Sequence, residues 1–99
     1  MSEHFNQLTP VEAEALALLL EECAETIAIV GKALRHGLDS RHPDGGPGNR
    51  AMIETEFGHA EAAVDILVRC GVLKREHIDA AKAEKLARVG RYLHHIALP

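Results

Sequence analysis

Two pairs of side chains in this sequence are spaced to share a metal ion. Glu22 and Glu25 are three residues apart, so on a helix they occupy one face. Continued at helical steps, their stripe reads Leu18, Glu22, Glu25, Ile29, Lys32 and His36. Acids set between Leu18 and Ile29 turn partly inward, where two carboxylates repel each other and lose water. A cation or protons must offset that cost, and a hard divalent ion such as Mg2+ or Mn2+ suits oxygen ligands of this kind. Glu56 and His59 repeat the spacing on a stripe with Ala63, Ile66 and Cys70, and Glu54, Glu61 and Asp65 add acids nearby. Acids at such spacing commonly lie on solvated helix faces; the second acidic cluster and the apolar neighbours put the inward reading on an equal footing with that one. In an antiparallel hairpin Glu25 falls near the level of residue 61, give or take a turn or more. Register therefore leaves Glu56, His59, Glu61 and Asp65 all open as partners.

The elements that must position these groups are helices. Thr9-Pro10-Val11-Glu12 is a capping box with proline at the first helical position, where its missing N–H costs nothing. Helix-forming residues then run to His36, and Gly37 is the stop. That helix is about 27 residues and ~40 Å long. Residues 37–49, with four glycines and two prolines, form a loop that either closes over a ligand or merely connects. It lacks the G-x-x-x-x-G-K-[ST] order of a P-loop. Asn49 is the expected cap of a second helix ending at Cys70, with an apolar stripe of Ile53, Phe57, Ala60, Val64 and Leu67. A third helix is expected from about Arg75 to Ile96. Its apolar side is Ile78, Ala81, Leu86, Val89 and Leu93, and its solvated face carries Arg88, Arg91 and His94. No run reads as a strand.

The 99 residues make one domain, with residues 1–8 as an N-terminal tail. The chain is 46% hydrophobic and 3% aromatic, which excludes a disordered chain and requires an aliphatic core. Fifteen acids against eleven bases give a net charge of −4, which argues against a general nucleic-acid binder. No apolar run of ~20 residues is present to cross a membrane, and the first residues lack the pattern of a signal peptide. Cys23 and Cys70 stand too far out of level in a hairpin to pair, and are expected as buried small apolar residues in a reduced, cytoplasmic protein. The fold class is all-α: a bundle of three main helices per chain. A ~40 Å helix outruns two shorter partners, so the bundle is expected to be completed by oligomerisation.

The order Glu21-Glu22-Cys-Ala-Glu25, Lys32-Ala-Leu-Arg35-His36-Gly37, Asn49-Arg50 and Glu54-Thr-Glu56-Phe-Gly-His59 resembles the MazG-like all-α nucleoside triphosphate pyrophosphohydrolases, most closely the small phage-type members. The resemblance spans about residues 15 to 70. It implies cleavage of a (deoxy)nucleoside triphosphate between its α- and β-phosphates, with Mg2+ or Mn2+. The family pattern, E-x-x-E on one helix and E-x-x-D on the next, makes Glu22, Glu25 and Glu56 metal ligands. The fourth position departs: His59 stands where the family has aspartate, and imidazole suits Mn2+ or a softer metal better than Mg2+. Glu21 or Glu22, if free of metal, would take the proton of the attacking water. Lys32 and Arg35 would hold the β- and γ-phosphates. Family members form dimers and tetramers, and a tetramer is favoured here. Two other readings compete. One is a di-metal carboxylate bundle using the Glu56-x-x-His59 step; the other is a non-enzymatic helical oligomer with a degenerate site.

Overall fold

The computed structural model describes residues 5–98; the first four residues of the tail and Pro99 lie outside it. Thr9 fixes the start of α1 (Pro10–His36). Its Oγ1 accepts from the Glu12 backbone N–H at 3.1 Å, and the Glu12 carboxylate accepts from the Thr9 N–H at 2.8 Å. Such a cap contributes about 1 kcal/mol. Gly37 ends α1 at φ 97°, a conformation open to glycine, and its N–H bonds to the Ala33 carbonyl.

The connection to α2 (Asn49–Arg69) is tied at its neck. The Arg50 N–H donates to the Leu38 carbonyl at 2.8 Å, and the Asn49 N–H to the Ser40 carbonyl at 2.9 Å. Gly48 is the cap of α2, rather than Asn49. Asn49 is instead the first helical residue, buried, and its Nδ2 reaches back 3.0 Å to the Gly37 carbonyl. The side chain expected to cap the second helix thus joins its start to the end of the first.

α1 and α2 form an antiparallel hairpin, and the core lies between them. Its buried apolar residues are Ala15, Ile29, Ala60, Ala63 and Leu67. Only Leu67 among these is both large and wholly enclosed. Of the stripe expected on α2, Ala60 and Leu67 are buried, Ile53 and Val64 half-buried, and Phe57 exposed. Phe57 faces instead a groove towards α3 (Arg75–Arg88).

α3 buries no residue and joins α2 through an Arg75–Asp65 ion pair. It stops at Arg88, eight residues short of the expected Ile96, and gives way to a single 3-10 turn, Val89–Tyr92. Gly90 weakens helix at that point, and no neighbouring element supplies the packing that sustains a marginal helix. His94 and His95 lie beyond the helix, both exposed, and Arg88 is paired with Glu84 four residues before it. Among the described residues the structure is all-helical with no strand.

The outer side of α1 carries an uncovered seam. Leu16, Leu20, Cys23, Ile27, Val30 and Leu34 follow one another at steps of four and three, the spacing of a coiled-coil face. Leu20 and Ile27 are each 73% exposed and Leu34 84%. Cys23 lies in this seam and Cys70 at the end of α2. Both are free thiols and both are exposed, not the buried residues expected. The Cα radius of gyration is 17.3 Å, against ~13 Å for a compact domain of this length.

Candidate metal centre

The hairpin register brings the two i, i+3 pairs face to face. His59 of α2 lies beside Glu22 of α1, and Glu56 beside Glu25. Glu25 thus stands level with Glu56 rather than residue 61, within the turn or more left open by the loop. α1 runs on alongside the loop past that level, and its last turns wall a cleft with it.

One ligand atom each from Glu22, Glu56 and His59 lies within 4.8 Å of the other two. His59 Nδ1 is 3.7 Å from Glu22 Oε2 and 3.6 Å from Glu56 Oε2. Both gaps are too long for a hydrogen bond. The Glu22 and Glu56 side chains are only 16% and 14% exposed, while His59 is open to solvent at 56%. Oε2 of each glutamate is wholly shielded from water and has no hydrogen-bond partner among the described residues. An unsatisfied buried acceptor costs about 1–3 kcal/mol, and more when charged. Among the described residues His59 is the one basic group within ion-pairing range of either carboxylate. Two carboxylate oxygens and one imidazole nitrogen fit a divalent ion, and the solvent-open His59 side leaves room for a substrate or water.

Glu25 is the outer member of the group. Its carboxyl is held above the usual carboxylate range, first by sharing a hydrogen bond with Glu56, then by the Glu56 charge and by burial, with His59 opposing. Glu21 is exposed and outside the group: one position from Glu22, it is turned about 100° away. Glu61 and Asp65 line the groove towards α3, where Asp65 is committed to Arg75.

Lys32 and Arg35 wall a cleft of about 520 Å3 between the end of α1 and the loop. The loop adds Arg41 and His42, and α1 adds His36. These three residues were not singled out as ligands from the sequence. The signal available was Arg41-His42 standing next to the glycine-rich turn, four residues after Gly37.

No family model matches this chain, and no curated protein and no solved structure matches it.

Proposed function

We propose that this chain is a metal-dependent nucleoside triphosphate pyrophosphohydrolase, converting a (d)NTP to the monophosphate and pyrophosphate. The observation that supports it best is the pair of buried carboxylate oxygens without partners, facing His59 beside a cationic cleft. Glu22, Glu56 and His59 would hold the ion, Mg2+ or Mn2+, with the imidazole favouring Mn2+. The bound ion supplies charge neutralisation and an acidified water. Glu25 is the base in this reading, because it lies outside the three-atom group and binds its proton more tightly than an ordinary carboxylate. It accepts the proton of the water that attacks the α-phosphorus. The bond from that phosphorus to the bridging oxygen breaks, and pyrophosphate leaves. Glu21, exposed and turned away, and Glu22, a ligand, are less suited to that role than the sequence alone implied.

A second chain completes the fold in this proposal. A seam at coiled-coil spacing mates with an identical seam, and the extended shape leaves it open. The uncovered seam of α1 and an α3 that buries nothing leave the helices short of partners, which favours a tetramer over a dimer. No helix among the described residues is long and apolar enough to cross a membrane, and the proposed site of action is the cytoplasm.

The position of His59 inside the group also favours a second reading, a di-metal carboxylate bundle built on Glu56-x-x-His59. One experiment separates the two: pyrophosphate release from a panel of ribo- and deoxynucleoside triphosphates, with Mg2+ and with Mn2+. Release that stops with chelator supports hydrolysis. Silence across the panel, with iron-dependent colour, would favour the di-metal bundle.

A further inference from the structure

The cleft beside the carboxylates has a composition that the chain as a whole does not. The protein carries a net charge of −4, yet Lys32, Arg35 and Arg41 converge on this cleft and no carboxylate lines it. None of the three cations is ion-paired within the described residues. At about 520 Å3 the space is that of a small-molecule site. Ile29 and Met52 form apolar parts of its wall and strengthen ionic contacts made against them.

The loop that brings Arg41 is pre-formed. Its neck is closed by the Leu38–Arg50 and Ser40–Asn49 backbone bonds. Its tip is turned by the Gly45 N–H bonding to the His42 carbonyl at 2.9 Å, with Gly45 and Gly46 at φ 99° and 103°. The Asp44 N–H donates to His42 Nδ1 at 3.1 Å. That contact ties the ring to the loop's own backbone. His42 so placed lines the cleft beside Arg41. A rigid loop bearing donors binds with little ordering cost.

The cleft also lies in line with the carboxylates. Met52 is one helical turn, ~6 Å, from Glu56, and Lys32 is two turns, ~10 Å, from Glu25 on the same face. A phosphate chain held through an ion at Glu22, Glu56 and His59 would have this cleft next along its path.

We propose that the loop is one wall of a polyphosphate pocket, in which Arg41 and His42 join Lys32 and Arg35 in gripping the phosphates beyond the metal centre. Arg41 and His42 are then specificity-determining residues that select a triphosphate over shorter phosphate esters. The inference rests on the phosphate-bearing substrate proposed above, but its first test needs neither metal nor turnover.

That test is calorimetric binding of inorganic tripolyphosphate to the full chain in chelator, for wild type, R41Q/H42Q and E56Q. The expected result is one site per chain in wild type and E56Q, weakening steeply with salt, and at least about tenfold weaker in R41Q/H42Q. The same double variant should raise KM for the hydrolysed triphosphate about tenfold and leave kcat within about twofold, as loss of uniform binding does. Circular dichroism confirms that R41Q/H42Q is folded; both side chains are exposed and hold no core contact. Absence of tripolyphosphate binding in wild type, or equal binding in R41Q/H42Q, overturns the pocket. Binding as described without turnover of any nucleotide would leave the pocket standing and refute the hydrolase.

Discussion

Replacing Glu56 by glutamine tests the metal centre without any assumption about substrate. The change keeps the side chain's shape and removes one of two charges whose buried oxygens have no partner. At 4.8 Å, the widest spacing within the group, two unit charges repel by about 3–4 kcal/mol at an effective dielectric of ~20. Solvent reaching the partly exposed side chains screens part of it. A net relief of about 1–2 kcal/mol is therefore expected in chelator, which raises Tm by ~4–15 °C for a chain of this size. Wild type should gain stability from Mn2+ instead, about 2.7 kcal/mol at a hundredfold excess over Kd. E56Q should lose most of that gain. The assay is a pair of thermal melts, in EDTA and in millimolar Mn2+, at one fixed protein concentration. A lower Tm for E56Q in EDTA, or equal Mn2+ shifts for both proteins, would refute the reasoning.

Three further outcomes are expected. The raised Glu25 carboxyl binds a proton more tightly folded than unfolded, so metal-free protein should gain stability as pH falls from neutral through that raised value, the gain being complete below the ordinary carboxylate range; Tm against pH should be flatter in E25Q, and identical curves would contradict it. I27D in the outer seam should shift the proposed assembly towards single chains in analytical ultracentrifugation at micromolar concentration, because Ile27 is 73% exposed in its own chain; an unchanged sedimentation coefficient would count against a paired seam. Gly58 lies inside α2 with nothing within 4 Å of an added Cβ, so G58A should raise stability by about 0.5–1 kcal/mol in urea melts, and a loss would mean that another backbone approaches there.

What the sequence discloses here is what short-range chemistry determines. Thr9, Pro10, Glu12 and Gly37 bound the first helix because a cap needs only its own turn. The pairing of Glu22 with Glu25, and of Glu56 with His59, follows from helical spacing alone. The level at which the pairs meet does not, since it depends on how far α1 runs beside the loop before Asn49 ties back to Gly37. The early end of α3 was hidden for a related reason. Val89 and Leu93 fit its apolar pattern, but a pattern sustains a helix only where something packs against it, and α2 meets α3 only near its start, along Arg75, Ile78 and Lys82, burying none of its residues. Cys23 looked like core by residue type and lies in the outer seam, because inside and outside of α1 both carry aliphatic stripes.

The thinness of the hairpin interior has a calorimetric consequence. The heat capacity of unfolding and the denaturant slope both scale with the surface that unfolding exposes. With alanines forming much of the interior and Leu67 its one large enclosed side chain, a lone chain has little apolar surface to expose. It should unfold with a heat-capacity increment well below the ~1.2–1.5 kcal/mol/K usual for 100 residues, and over a broad range of denaturant. A steep transition with an ordinary increment would mean that Leu20, Ile27 and Leu34 are already covered at the start, so the curvature of the stability profile reports how many chains share one core.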